Sequence, residues 1–234
     1  MAYRKEELAN GEYYHIYNRG TDKRTVFDDK QDFFQFLQML DLFNIDMSCG
    51  AVKMYKYPIN LEHRSKASVL VEIVAYCLNG NHYHLLLKQV ADNGISKFMQ
   101  KVGTGYVNYF NQKNDRSGSL FQGKFKSKHI GTDEYLKGLS AYINLNNIVH
   151  QNIKNDNKHR SKASVLHRSS WWEYGGEKEK DAFHEICEKD IILGAFKSKR
   201  EYIKFAKDYV NNIVSMRKDK KQMDLEDDRE LFLE

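Results

Sequence analysis

Residues 69–90 read VLVEIVAYCLNGNHYHLLLKQV, two apolar runs separated by Asn79-Gly80-Asn81. Asn-Gly between two such runs is a strong β-hairpin signal, because both residues tolerate the positive φ that a tight turn requires. The runs therefore predict two antiparallel strands, Val69–Leu78 and Tyr83–Val90. This hairpin decides the fold class, since the flanking segments alternate between helical and strand patterns around it.

The flanking segments predict a sheet with helices. In chain order they are a strand at Tyr13–Tyr17, a helix at Asp32–Asn44, the hairpin, a helix at Ile95–Asn111, a strand at Leu120–Ile130 and a helix from the N-cap Thr132 to about Val149. The order β-α-β-β-α-β-α is that of the ferredoxin-like plan. We therefore predict an α+β protein with a ferredoxin-like antiparallel sheet and helices on one face.

The remainder of the chain predicts a helical C-terminal extension. Two helices are expected, at Asp181–Leu193 and Lys199–Val214, and an acidic tail begins at Met223. We divide the chain into a domain at residues 1–155 and an extension at residues 156–234, which we expect to pack on the core without forming a second catalytic domain.

Composition excludes several classes of protein. No window offers the roughly 18 uncharged apolar residues of a membrane span, and the N-terminus has no apolar signal-peptide region. Three cysteines, Cys49, Cys77 and Cys187, lie far apart without a CxxC pair, which disfavours a disulfide scaffold. We therefore expect a cytoplasmic protein with no membrane partner.

One octapeptide occurs twice. HRSKASVL stands at His63–Leu70 and again at His159–Leu166, next to polar segments where insertions are best tolerated. Two explanations are open: a short DNA repeat inserted twice into the gene, or a duplicated basic surface loop.

A basic strip follows the second predicted helix. The net charge is only +5, but residues 111–130 concentrate cations against a single acid, Asp115. The cations are Lys113, Arg116, Lys124, Lys126 and Lys128. Interleaved with aromatic residues, such a strip is what a phosphate backbone attracts, although a charge run is also typical of a solvated face.

His82 and His84 form a candidate metal pair. Side chains at i and i+2 of a strand point to the same face, so both imidazoles project together. Two histidines held in this way can bind one divalent cation, or each can be an ordinary strand histidine. With no third His and no Cys nearby in the sequence, a closed structural zinc site is disfavoured.

Tyr142 and Asn146 form a second candidate pair. They are four residues apart and thus lie on one helical face. An amide oxygen suits Mg²⁺ or Mn²⁺, and a tyrosine one turn away could act as a nucleophile. A tyrosine beside Leu139 and Ile143 is also typical of a core, so both interpretations stay open from spacing alone.

Five segments match the motifs of one family, in the right order and at fitting spacings. They are Tyr13–Gly20 (YYHIYNRG), Asn81–Leu87 (NHYHLLL), Tyr106–Asn111, Ser117–Ser127 (SGSLFQGKFKS) and Tyr142–Asn146 (YINLN). Together they resemble the single-tyrosine transposases with a His-hydrophobic-His (HUH) motif, and among these the REP-associated tyrosine transposases. The resemblance extends from Glu12 to Gln151.

The resemblance implies an HUH endonuclease core and a set of roles. His82, His84 and Asn146 would hold Mg²⁺ or Mn²⁺, and Tyr142 would be the catalytic nucleophile. Members of the family cut and rejoin single-stranded DNA next to palindromic hairpins, which implies a 5′-phosphotyrosine intermediate and a monomer or homodimer. Two prolines of the family pattern are replaced, in Asn79-Gly80-Asn81 and in Asn146-Asn147, which leaves the ligands intact.

Further residues complete the expected DNA site. Backbone contacts are expected from Arg19, Arg116, Lys124, Lys126 and Lys128. Tyr106, Tyr109, Phe110 and Phe121 could stack on unpaired bases, but helical spacing favours a core position for Tyr106 and Phe110. Tyr106 and Tyr109 are also the rival nucleophiles.

Two other classes of protein compete with the transposase interpretation. They are a single-strand-binding protein without cleavage activity and a metal-dependent hydrolase that uses water.

Overall fold

The structure is a computed structural model that describes residues 7–46, 69–146, 149, 167–176 and 183–222, with side chains described up to residue 217. Its strands are β1 Tyr13–Arg19, β2 Val71–Asn79, β3 His82–Gln89, β4 Lys126–Ile130 and β5 His167–Ser169. Its helices are α1 Lys30–Leu42, α2 Gly94–Lys113, α3 Asp133–Asn144, α4 Asp190–Leu193 and α5 Lys199–Gln222.

The strands pair into one antiparallel sheet with the order β4-β1-β3-β2-β5. The first four strands with α1 and α2 follow the chain order and the spatial order of a ferredoxin-like unit, which confirms the predicted α+β class. The predicted hairpin is also confirmed: Gly80-Asn81 forms its turn, and Asn79 pairs with His82 across it.

Helices cover both faces of the sheet. Side chains alternate along β3, so Leu85 and Leu87 point to one face and Leu86 to the other. Leu85 and Leu87 pack in an apolar cluster with residues of α1 and α2, whereas Leu86 packs with residues of α3 and α5. The predicted position of the helices on one face holds for α1 and α2, and the opposite face carries α3 and α5 as a second layer.

Helix α3, which carries Tyr142, begins where the sequence predicts. The Oγ1 atom of Thr132 accepts a hydrogen bond from the N–H of Tyr135 at 3.2 Å, which satisfies one of the free donors of the first turn. The helix is interrupted after Asn144, with Leu145 as its C-cap. Asn146 and Val149 are helical again, and the N–H of Val149 donates to the carbonyl of Leu145 at 3.3 Å, in agreement with the predicted end near Val149.

Two predicted elements differ from the structure. The strand predicted at Leu120–Ile130 begins only at Lys126. Gly123 has a φ of +73°, outside the β region, and before it the pairing is an isolated bridge between Phe121 and Gly20. The helix predicted at Asp181–Leu193 is reduced to α4, and residues 183–188 are irregular. There the Glu173 carboxylate accepts hydrogen bonds from the N–H groups of Ile186 and Cys187, which occupies donors that a helix would use in its own backbone.

The extension packs on the core, as expected, through α5 and through β5, a strand that the sequence analysis missed. The buried hydroxyl of Tyr202 on α5 accepts a hydrogen bond from Nδ2 of Asn144 at 2.8 Å. Farther along the two helices, a Cβ added to Gly138 would lie 2.6 Å from the ring of Tyr209, so the helices cross at close range. The domain boundary at residue 155 stays a prediction.

Some expectations fall outside the described residues. They concern most of the first octapeptide copy, the whole second copy and the acidic tail, which lie outside the described residues. Within the described part of the chain, no helix is long and apolar enough to cross a membrane.

Candidate active site

The site is built on the sheet face that α3 covers. His82 and His84 of β3 point to this face and lie 5.1 Å apart between ring centroids, with their planes nearly perpendicular. Both are half-buried, whereas Tyr83 between them is buried on the opposite face with Phe36 and Phe121. The alternation that predicted a shared face for the two imidazoles is therefore observed.

Tyr142 lies directly over this histidine pair. Its ring is 6.2 Å from that of His84, in an edge-to-face arrangement, and only 5% of the residue is exposed. Asn146 follows one helical turn later and is fully buried. A single chain thus brings together the histidines of β3, the phenol of α3 and the amide that follows it.

A chain of hydrogen bonds joins three of these elements. Nδ2 of Asn79 lies 2.8 Å from Oδ1 of Asn146 and 3.1 Å from Nε2 of His82. On the other side of the imidazole, Nδ1 of His82 lies 2.7 Å from Oδ1 of Asn81. Because the Asn79 amide can only donate through Nδ2, Nε2 of His82 is the acceptor and Nδ1 carries the proton.

A third histidine lies against the pair, which corrects the expectation that none is nearby. His15 of β1 is buried, and its Nε2 lies 2.9 Å from Nδ1 of His84. Burial and the neighbouring charge of Lys128 lower the pKa of His15 to about 3, so the imidazole is neutral. The sequence analysis did not predict this contact, because the two histidines are far apart in the chain and only the pairing of β1 with β3 brings them together.

The C-terminal helix also reaches the site. Arg217 of α5 forms a side-chain hydrogen bond with Tyr142. Burial raises the pKa of Tyr142, while the charge and hydrogen bond of Arg217 act in the opposite direction, as does the side chain of Asn146. No sequence motif marked Arg217, because only the packing of α5 on α3 brings it to the phenol.

The predicted DNA-contact residues divide into groups. Arg19 pairs across from His82, and Lys126 and Lys128 pair across from Tyr17 and His15, so these three cations share the sheet face of the site. Lys124 is exposed in the segment before β4.

Arg116 is engaged elsewhere. It donates to Oδ1 of Asn111 at 2.7 Å and to the carbonyl of Ser119 at 3.2 Å, and its guanidinium lies over the ring of Phe110. These contacts hold the end of α2 and are not directed at the site.

The rival tyrosines lie on the other side of the sheet. Tyr106 is fully buried among α1 and α2 residues and donates its hydroxyl to the carbonyl of Val26, and Tyr109 donates to Asp32. Phe110 and Phe121 are buried in the same cluster. The core interpretation is therefore confirmed for Tyr106 and Phe110, and base stacking by any of these four rings is not supported.

The donor set could hold a divalent cation. The amide oxygen of Asn146 is the type of ligand that Mg²⁺ and Mn²⁺ prefer, and the two imidazole nitrogens are ligands typical of divalent transition metals. Within the described ranges, no cluster of three His, Cys, Asp or Glu side chains could hold a metal ion. Oδ1 of the buried Asn146 accepts from Nδ2 of Asn79 in this structure, and its Nδ2 has no hydrogen-bond partner of ordinary geometry in the described residues.

The chain is an α+β protein with a ferredoxin-like sheet whose central strand carries two histidines, faced by a tyrosine on a helix. A protein-family model described as IS200-like transposase matches residues 52–146. This match confirms the resemblance that the motifs indicated. No curated protein matches the chain.

One solved structure similar to the chain is that of a REP-associated tyrosine transposase bound to a REP hairpin. It has 12% sequence identity and a TM-score of 0.45, and the alignment covers 64% of this chain and 74% of that one.

Proposed function

We propose that the protein is a metal-dependent transposase that cleaves and rejoins single-stranded DNA near palindromic hairpins through a 5′-phosphotyrosine intermediate. The observation that carries this proposal is the position of Tyr142, on the sheet face of His82 and His84 and in ring contact with His84. The family match over residues 52–146 supports the same assignment.

His82, His84 and Asn146 would hold Mg²⁺ or Mn²⁺. When bound, the cation would polarise the scissile phosphate and neutralise the charge that develops there. For this role His82 has its proton on Nδ1, and its Nε2 lone pair, which accepts from Nδ2 of Asn79 in this structure, would turn to the cation. His84 can adopt the same tautomer, with Nδ1–H donating to Nε2 of His15.

Tyr142 would be the nucleophile. Its Oη forms a bond to the phosphorus, the bond from phosphorus to the 3′ oxygen breaks, and the phenolic proton leaves. The products are a 5′-phosphotyrosine ester and a free 3′-hydroxyl. Because the ester conserves the bond energy, attack by another 3′-hydroxyl reverses the step and joins strands without ATP.

Arg217 would assist the phenol. A buried tyrosine resists ionisation, since the phenolate loses its hydration. The guanidinium beside Tyr142 favours the charged form and so opposes the effect of burial. It is also placed to contact the phosphate once the phenol attacks.

Arg19, Lys126 and Lys128 would hold the DNA backbone. Arg19 lies on β1, next to β3, and Lys126 and Lys128 lie on β4, the edge strand beyond β1. All three are on the same face as the histidines. Phosphates bound along this edge of the sheet would lead the strand toward Tyr142.

A covalent adduct tests the proposal. A synthetic strand carrying a palindromic hairpin from beside the gene, labelled at its 3′ end, is incubated with Mn²⁺ and the full-length protein. We expect the label to migrate with the protein after denaturation, and Tyr142→Phe to abolish the adduct. Tyr135→Phe is the matched control, because it lies on the same helix and its hydroxyl has no hydrogen-bond partner in the described structure.

The other outcomes identify the competing functions. Tyr17 is the alternative nucleophile, since its ring stacks 6.1 Å from His84, and an adduct lost only in Tyr17→Phe would overturn the assignment of Tyr142. Hairpin binding without an adduct at saturating Mn²⁺ would indicate a single-strand-binding protein. Cleavage that leaves a 5′-phosphate and no adduct would indicate a water-using hydrolase.

A further inference from the structure

Asn79 occupies an unusual position between two of the proposed metal ligands. It is the last residue of β2 and pairs with His82 across the hairpin turn, so the two side chains share a face. Its Nδ2 is 3.1 Å from Nε2 of His82 and 2.8 Å from Oδ1 of Asn146. The resemblance to transposases assigns no role to Asn79.

The two atoms that Asn79 contacts are the two that would bind the cation. Nδ1 of His82 carries its proton toward Oδ1 of Asn81, so Nε2 is the nitrogen that would bind a metal. The acceptor of Asn146 is likewise its amide oxygen. The amide nitrogen of Asn79 therefore lies where two ligand lone pairs converge, and its two N–H groups satisfy both.

The spacing of these atoms matches a coordination shell. In an octahedral Mg²⁺ site with ligands at about 2.0–2.1 Å, neighbouring ligand atoms are roughly 3 Å apart. The two distances from the Asn79 amide, 2.8 and 3.1 Å, agree with this edge length. An atom at the position of Nδ2 could thus share one cation with His82 and Asn146.

Rotation of the amide would place oxygen at that position. The two ends of an Asn amide are nearly equal in shape, so a half-turn exchanges Oδ1 and Nδ2. The present contact of Oδ1 is weak, with the Sγ of Cys77 at 3.8 Å. After the turn, this sulfur would face the NH₂ group and act as a weak acceptor, so the rotation leaves no strong bond broken on that side.

We propose that Asn79 is a fourth protein ligand of the divalent cation. Without metal its NH₂ group holds His82 and Asn146 together, and with metal its amide turns and Oδ1 joins the coordination shell. This inference rests on the metal site of the proposed function. The proposed role of Asn79 adds a ligand from β2, so the cation would be held by β2, by β3 and by the segment that follows α3.

Two substitutions with opposite expected effects test the role. Mn²⁺ affinity of the full-length protein is measured without DNA, from the loss of the free-Mn²⁺ paramagnetic resonance signal. Asn79→Leu removes the oxygen and is expected to weaken binding about tenfold. Asn79→Asp supplies a charged oxygen ligand and is expected to strengthen binding by a similar factor.

Each alternative role predicts a different pair of results. If Asn79 only occupies the site and must be displaced, Asn79→Leu would bind Mn²⁺ as well as or better than the native protein. If its NH₂ group only positions His82 and Asn146, Asn79→Asp would bind more weakly, because a carboxylate cannot donate. Either result overturns the proposal, and circular dichroism of the metal-free variants confirms that they fold.

His84→Ala separates this inference from the proposed function. It should abolish Mn²⁺ binding, since it removes a ligand on which both proposals depend. If the native protein binds no Mn²⁺, or if the His84→Ala variant still binds it, the metal site itself is overturned. If the native protein binds Mn²⁺, His84→Ala abolishes this binding and Asn79→Leu does not weaken it, only the role of Asn79 is overturned.

Discussion

Nε2 of His15 lies 2.9 Å from Nδ1 of His84, and the two rings stack with centroids 5.1 Å apart. This contact joins neighbouring strands, since His15 of β1 lies diagonally across from His84 of β3. It restrains the ring of His84, which also contacts the ring of Tyr142. A neutral His15 can accept the Nδ1 proton of His84 and so direct the Nε2 lone pair into the site.

The first prediction concerns this restraint. His15→Phe removes the acceptor but keeps an aromatic ring, so we expect Mn²⁺ affinity to fall about tenfold with little change in fold. Isothermal titration calorimetry measures the change. His129→Phe is the control, because His129 lies on the opposite face of the sheet, against Tyr14; equal losses in the two variants would contradict the role of His15.

The second prediction concerns the pH dependence of stability. In the unfolded chain His15 titrates near its ordinary pKa of 6.5, whereas in the folded protein its pKa is about 3. Between these values only the unfolded state binds the proton, so stability is complete above about pH 6.5 and decreases as the pH falls. The expected loss from this residue is about 3 kcal/mol at pH 4.

Urea unfolding of the metal-free protein at pH 7 and pH 4 measures this loss. In His15→Phe the decrease between the two values should be smaller than in the native protein, because no proton can bind at that position. A decrease of the same size in both proteins would show that His15 is not the group responsible.

The third prediction concerns Arg217. Replacing it with Leu removes the charge that favours the ionised phenol, so the pKa of Tyr142 should rise. Adduct formation should become several-fold slower near neutral pH, and its pH–rate profile should move to higher pH. Arg217→Lys should retain part of the rate, and Arg200→Leu, an exposed substitution on the same helix, should have no effect.

The fourth prediction separates cations that face the site from those that do not. Arg19→Ala and Lys126→Ala should each weaken single-stranded DNA binding and reduce the slope of log affinity against log salt by about 0.7. Arg116→Ala should leave the slope unchanged, because its guanidinium is bonded to Asn111 and Ser119. Fluorescence anisotropy across a salt series measures all three, and equal slopes for the three variants would refute the division.

The fifth prediction concerns the docking of α5 on α3. Tyr202→Phe deletes a fully buried hydroxyl that accepts from Nδ2 of Asn144, and should cost about 1–3 kcal/mol of unfolding free energy. Tyr209→Phe on the same helix removes a half-buried hydroxyl and should cost much less. Urea denaturation compares the two, and equal stabilities would mean that the Tyr202 hydrogen bond contributes nothing to docking.

The sequence by itself determined the elements whose cause is local. Alternation in β3 placed His82 and His84 on one face, the segment Asn79-Gly80-Asn81 predicted the hairpin whose turn is Gly80-Asn81, and helical spacing placed Tyr142 and Asn146 one turn apart. These relations follow from backbone geometry over a few residues, so they need no knowledge of the rest of the chain. The roles given to these residues came from the family resemblance and stay proposals.

Only the tertiary structure decided which distant residues complete the site. His15 meets His84 because β1 pairs with β3, Asn79 reaches Asn146 because α3 crosses the end of β2, and Arg217 reaches Tyr142 because α5 packs on α3. Such contacts join residues 67 to 75 positions apart in the chain. They depend on the order of the strands in the sheet and on which faces of the helices pack together to bury apolar surface. The periodicity of residues within a short segment predicts neither of these.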